Sequence, residues 1–189
     1  MVINQLYKDI EVLTQAKEKY KQETPNNIRL QAVFQPAVFA LLQKKLLQQK
    51  YTTKFHPYKY HYSTTKMPEI KQFLYGTYFK TIVANLLGIK KYSLNYEIQR
   101  FEAGSFTLLH DTEKEQTATD FIIDFSTTET SNGGYTKYLT EREELLQLNP
   151  CPNSLSFVER NKTVMYYVKY VTHATTRPLI FVRGEILLC

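Results

Sequence analysis

No tryptophan occurs in this chain, only two cysteines do, and no apolar run approaches the ~20 residues a membrane helix needs. Two cysteines, Cys151 and Cys189, make no disulfide framework, so a reducing, cytoplasmic setting is the expectation. No cleavable signal precedes the first helical pattern, and no membrane association is expected. Internal repeats, low-complexity linkers and charge-dense tracts of low hydropathy are missing too. That excludes a repeat array and a disordered chain.

What remains is a globular composition. Hydrophobic residues make up 43% and aromatics 14%, with 15 Tyr and 11 Phe, which suits pleated surfaces on which aromatics pack well. A length of 189 residues supports one domain with a substantial core, so a single domain over residues 1–189 is expected. The net charge of +6 is concentrated between Lys44 and Lys91, where lysines interleave with tyrosines. Such a stretch either steers a nucleic acid or another polyanion, or solvates a helix face and a strand edge. No nucleic-acid recognition motif accompanies it.

Periodicity divides the chain. Leu6, Ile10, Leu13, Ala16 and Tyr20 recur at helical spacing and predict a helix over residues 3–21, broken at Pro25. Residues 28–34 read as a strand that opens a sheet. Pro36 starts a second helix whose buried stripe is Val38, Leu41, Leu42 and Leu46. Residues 54–62 alternate aromatic with polar side chains as a strand that Pro57 confines to an edge or breaks. His56 and His61 lie an odd number of residues apart there, which sets them on opposite faces of an unbroken strand. Thr65 reads as the cap of a third helix over 68–88, kinked at Gly76. From Tyr92 onward, turns come every few residues between strands at about 96–109, 118–125, 134–139, 154–159, 164–171 and 179–188. Helices followed by a run of strands predict an α+β domain with helices packed on a sheet sandwich, the helical part about 1–90 and the strands about 92–188.

One stretch carries chemistry. The strand through Tyr96, Ile98 and Arg100 breaks at Gly104, resumes through Phe106 and Leu108, and reaches His110 just before an acidic, polar run. A histidine where a strand empties into a carboxylate-bearing loop can present a metal ligand, since the sheet fixes the imidazole and the loop brings oxygen donors. The alternative is a strand-end histidine hydrogen-bonded to backbone. Glu113, Lys114 and Glu115 read as a solvated loop, and Gly133-Gly134 as a turn rather than a phosphate cradle.

Phe101, Gly104 and His110 match in order and spacing the strand-and-loop motif of the Fe(II)- and 2-oxoglutarate-dependent dioxygenases, and the segment resembles their prolyl-hydroxylase-like branch. The likeness extends over residues 30–188, through the strand before Phe125, the turn at Gly133-Gly134 and the turn at Pro152-Asn153. It implies a double-stranded β-helix, or jelly-roll, and a facial triad of two histidines and one carboxylate holding iron. It also implies an arginine on the last strand that forks onto 2-oxoglutarate.

Carried over residue by residue, the motif gives His110 as first ligand, Thr112 where the aspartate belongs and Tyr166 where the second histidine belongs, with Arg177 as the co-substrate anchor. A threonine brings no charge to iron, and a phenol is a weak ligand at neutral pH. Asp111 can replace Thr112 where the chain leaves the strand. In a register shifted by seven residues His173 replaces Tyr166; Arg183 then replaces Arg177. The unshifted register keeps more matches.

The resemblance therefore implies a 2-oxoglutarate/Fe(II) dioxygenase-like hydroxylase of a protein or nucleic acid, its atypical metal site built from His110, Asp111 and His173. The alternative is a catalytically inactive module of the same fold that binds RNA or protein and needs neither cofactor. No acid–base pair or nucleophile stands out, and nothing in the sequence speaks to oligomeric state.

Overall fold

The computed structural model describes residues 3–109, 117–127 and 132–188. After a single 3-10 turn at Gln5–Lys8, Asp9 adopts extended backbone, and its carboxylate accepts a hydrogen bond from the Glu11 amide at 2.8 Å. That cap starts α1 (Ile10–Tyr20), which buries Leu13, Ala16 and Tyr20. The predicted continuous helix over 3–21 is thus two pieces, because an aspartate side chain competes well for the free amides of a helix start. β1 (Asn27–Gln31) follows, then α2 (Pro36–Gln48), opened by Pro36 as expected. α2 buries Leu42 and Leu46 but leaves Leu41 exposed, so its apolar stripe is narrower than predicted.

Pro57 falls in the turn between β2 (Thr52–His56) and β3 (Tyr60–Thr65), which makes the predicted strand a hairpin. Thr65 ends β3 and bonds to the Lys50 carbonyl instead of capping the next helix. α3 (Pro68–Leu74) and α4 (Thr77–Leu87) are separate helices divided at Gly76. The remaining strands are β4 (Tyr92–Phe101), β5 (Phe106–Thr107), β6 (Ala118–Asp124), β7 (Thr136–Leu139), β8 (Glu144–Leu148), β9 (Ser154–Arg160), β10 (Met165–Val168) and β11 (Leu179–Leu188). β8 is the one strand not foreseen.

All pairings are antiparallel, in the order β1-β9-β6-β11-β4-β3-β5-β10-β7-β8, with β2 attached to β3. β3 is the seam of the sheet. Ser63, Thr64 and Thr65 pair with β4, whereas Tyr60 and His61 pair with β5. The sheet curls there, so that β9, β6, β11 and β4 face β5, β10, β7 and β8 as the two walls of a double-stranded β-helix. Alternation sorts the side chains of the first wall. Phe121, Ile123, Leu155, Phe157, Ile180 and Val182 join the core under the helices, with Leu13, Ile70, Phe79 and Leu86. Ile122, Val158, Phe101 and Phe181 point the other way, against Tyr138, Leu148 and Val168 of the opposite wall.

The helices and β1 are tied to the barrel by specific bonds. Asn153, at φ 60°, accepts from the Phe34 amide at 2.9 Å and donates to the Phe34 carbonyl at 3.0 Å. Its own carbonyl accepts from Val33 at 3.0 Å. Gln43 of α2 donates to the carbonyls of Phe125 and Ser126. No helix among the described residues is long and apolar enough to cross a membrane.

Candidate functional site

Between the two walls lies a cavity of about 130 Å³, lined by Glu97 and Gln99 of β4, Asp120 and Ile122 of β6, Tyr138 of β7, Tyr166 of β10 and Arg183 and Glu185 of β11. Every one of these side chains is placed by strand alternation. β11 pairs β6 with Arg183 opposite Ile122 and Glu185 opposite Asp120. The apolar residues between them turn to the helices, and the charged ones turn in.

Arg160, at the end of β9, forms a fork on Asp120, with Nε–Oδ2 at 3.0 Å and Nη2–Oδ1 at 3.1 Å, and reaches Glu185 at 3.2 Å. Asp120, Arg160 and Arg183 are each at least nine-tenths buried. Burial works against the Arg160 charge, but Asp120 outweighs it and holds the guanidinium above its ordinary value. Arg183 donates through Nη2 to the Thr136 hydroxyl, and its guanidinium carbon lies 5.7 Å from the Tyr166 ring centre and 5.3 Å from that of Phe181. Its Nε is buried with no hydrogen-bond partner among the described residues. Burial pushes the phenols of Tyr138 and Tyr166 up, and Asp120 adds to this, while the two arginines pull back. Both are therefore neutral at physiological pH.

The residues expected from sequence fall in three places. His110, Asp111 and Thr112 lie outside the described residues. His173 and Arg177 are exposed on the segment between β10 and β11. His173 Nε2 lies 3.4 Å from the Tyr170 hydroxyl, beside the end of β5, where Tyr170 stacks on Phe106. Arg177 precedes Pro178 and lies just before β11, which starts at Leu179, so it stands outside the last strand. The arginine that enters the cavity is Arg183. Tyr166 faces it, as the unshifted register requires, whereas Arg183 belongs to the shifted one. The segment between Val168 and Leu179 is loop, so its residue count fixes no strand phase between β10 and β11. The two hairpin histidines do not meet at a site either: His61 Nδ1 is 3.1 Å from the Gly104 carbonyl, and His56 packs against Tyr60.

Sequence reasoning did not single out the cavity residues Glu97, Gln99, Asp120, Tyr138 and Glu185, nor Arg160 and Thr136, which bond to Asp120 and Arg183. The signal for Asp120 and Glu185 was present. Asp120 interrupts an apolar strand at the positions alternate to Phe121 and Ile123, and Arg183 and Glu185 sit two apart in an otherwise apolar strand.

Tested against the iron and 2-oxoglutarate of the resemblance, the cavity gives a split answer. Among the described residues no group of three or more His, Cys, Asp or Glu could hold a metal ion, and the candidate ligands His110 and Asp111 lie outside those residues. A carboxylate, by contrast, finds donors at the free Nε–H of Arg183, the Thr136 hydroxyl and the phenols.

Comparison with known proteins agrees with the architecture. Of solved structures, an oxidoreductase of the 2OG-Fe(II) oxygenase family from Burkholderia pseudomallei superposes with a TM-score of 0.68 at 12% identity, covering 92% of this chain and 90% of that one. A Pseudomonas putida prolyl-4-hydroxylase gives 0.67 at 12% identity, covering 94% and 99%. Of curated proteins, the prolyl 3-hydroxylase OGFOD1 of Mus musculus is 37% identical over 81 residues, which are 41% of this chain and 15% of that protein. The chain thus corresponds to a small part of that relative. A family described as "Oxoglutarate and iron-dependent oxygenase degradation C-term" matches residues 3–186. The chain belongs to this family, within the Fe(II)/2-oxoglutarate-dependent dioxygenase superfamily.

Proposed function

We propose that this dioxygenase-like chain serves as a binding module, with no iron chemistry of its own. One observation carries the reading: Tyr166, the residue that the family resemblance aligns with the second imidazole, is a neutral phenol packed over Arg183. The surrounding charges support it. Asp120 and Glu185 engage Arg160, and both carboxylates line the wall that a dianionic co-substrate would meet. Anaerobic calorimetric titration with Mn(II) tests the reading, and no saturable heat at micromolar metal is the expected result. Micromolar binding that disappears in His110→Ala or Asp111→Ala would overturn it.

A second reading, a protein or nucleic-acid hydroxylase using His110 and Asp111, is favoured by one feature, the unpartnered Nε of Arg183. A planar guanidinium with a free N–H, buried on the last strand, is suited to a carboxylate in a way that lysine is not. Release of succinate from 2-oxoglutarate, lost in Arg183→Ala and kept in Arg177→Ala, would establish this reading in place of the first. A soluble, cytoplasmic setting fits either one.

A further inference from the structure

Outside the cavity, a groove of about 990 Å³ lies between β4, the β2–β3 hairpin and the start of α3. One side of it is an open sheet edge. β4 pairs with β11 over all ten of its residues, but on its other side β3 stops at Thr65, opposite Ile98, where the chain leaves for α3. From Tyr92 to Glu97 that side of β4 has no strand partner among the described residues. In an antiparallel strand, alternate residues direct both N–H and C=O to the same edge, so this overhang offers a row of free donors and acceptors.

The opposite walls are basic. Lys50, Lys66 and Lys71 line the groove, are exposed, and have no ion-pair partner among the described residues. Lys54 is also there and pairs with Glu97, which removes the one carboxylate of the floor. Leu94, Tyr96 and Met67 give the floor apolar patches. Lysines often guard an edge by sitting on the edge strand itself. Here residues 92–98 contain no lysine, and the cations come from other segments that line the same groove.

We propose that this groove takes an extended, acidic segment of a partner protein, which adds to β4 as a further strand and sets its carboxylates against Lys50, Lys66 and Lys71. Main-chain bonds to the overhang give affinity, and the lysines select acidic side chains at alternate positions. The inference rests on the reading of the chain as a binding module and supplies its partner. Because it concerns a surface outside the cavity, metal binding and peptide binding can fail independently.

The probe is a fluorescein-labelled peptide of about ten residues alternating Glu with Val, a length that spans the overhang, followed by fluorescence anisotropy. Three companions complete the test: the same peptide N-methylated at alternate residues, the variant Lys50→Glu/Lys66→Glu/Lys71→Glu, and an oligouridylate of equal length. Saturable binding is expected, weakened about tenfold or more by the triple variant and by N-methylation, each such step being about 1.4 kcal/mol. The N-methylated probe leaves the protein untouched, so it decides even if the variant misfolds. Absence of saturable binding, or equal binding of the N-methylated peptide, would overturn strand addition. Tighter binding of oligouridylate, lost in the triple variant, would overturn the choice of a protein partner.

Discussion

The two faces of the wall formed by β9, β6, β11 and β4 are made of alternate residues of the same strands, and they differ in kind. Toward the helices stand Phe121, Ile123, Leu155, Phe157, Ile180 and Val182, all fully buried against apolar neighbours. Toward the other wall stand Asp120, Arg160, Arg183 and Glu185, set among the apolar Phe101, Ile122, Val158 and Phe181. The first face removes large aromatic and aliphatic surfaces from water and supplies the stability of the fold. The second buries charge, which costs desolvation that mutual attraction only partly offsets. A face built this way is retained for what it holds in place, and the helix side carries the expense.

Breaking the ionic face should give the largest effect. Arg160→Met leaves Asp120 and Glu185 side by side on β6 and β11 without their guanidinium, and a loss of about 3–5 kcal/mol is expected. Urea denaturation measures it. Adding Asp120→Leu and Glu185→Leu should recover about half of that loss or more, because an apolar cavity wall carries no unpaired charge. If the triple variant is no more stable than Arg160→Met, the two faces do not differ in the way argued.

A smaller loss is expected on the helix face at Gly184. A methyl group there would lie 2.6 Å from the Phe121 ring and 2.3 Å from the Asn95 carbonyl oxygen. Gly184→Ala therefore overpacks the one gap in β11 that admits Phe121, at about 1–3 kcal/mol. Thermal unfolding of the variant checks this, and an unchanged midpoint would mean that the helix layer yields more than its packing suggests.

The smallest effect belongs at the cavity rim. Burial pushes the Glu97 carboxyl up, but Lys54, Gln99 and Tyr62 outweigh it and hold it below the ordinary carboxylate range. A folded-state value below the unfolded one means that the contribution is complete above the ordinary range and is lost as pH falls through the folded value. The pair is partly exposed, so no more than about 1 kcal/mol is expected. The difference in urea midpoint between wild type and Glu97→Gln should shrink as the pH is lowered below about 4.

Much of the contrast between faces could be read from period two alone. Strands 118–125, 154–159 and 179–188 were expected within a residue or two of where they lie, because apolar residues recur there at every second position or in short unbroken runs. β8 escaped because Glu144, Leu145, Leu146, Gln147 and Leu148 favour a helix at least as well, and only the pairing with β7 makes them a strand. The two-piece start of the chain hinged on one capping side chain. At the site, Tyr166 lies in a strand that Val164 and Val168 mark in the sequence. Arg177 has no such guides, because the ten residues between Val168 and Leu179 carry no periodic pattern from which a phase could be set. The Asp120–Arg160 pair joins strands whose contact depends on the sheet order, which no local pattern reveals.

The bonds between Asn153 and the Val33–Phe34 segment bear on where this chain can be divided. β1 comes from the N-terminal part yet covers the outer edge of β9, and Asn153 fastens the segment that follows it. A fragment beginning at residue 92 would keep most of the strands but lose β1, β2 and the seam strand β3. In water it would present β9 as a bare edge beside an uncovered sheet of phenylalanine and isoleucine, the two features that invite strands of neighbouring molecules to pair and precipitate. The first thirty-five residues thus act as a built-in safeguard against self-association, and useful truncations of this protein are those that leave them in place.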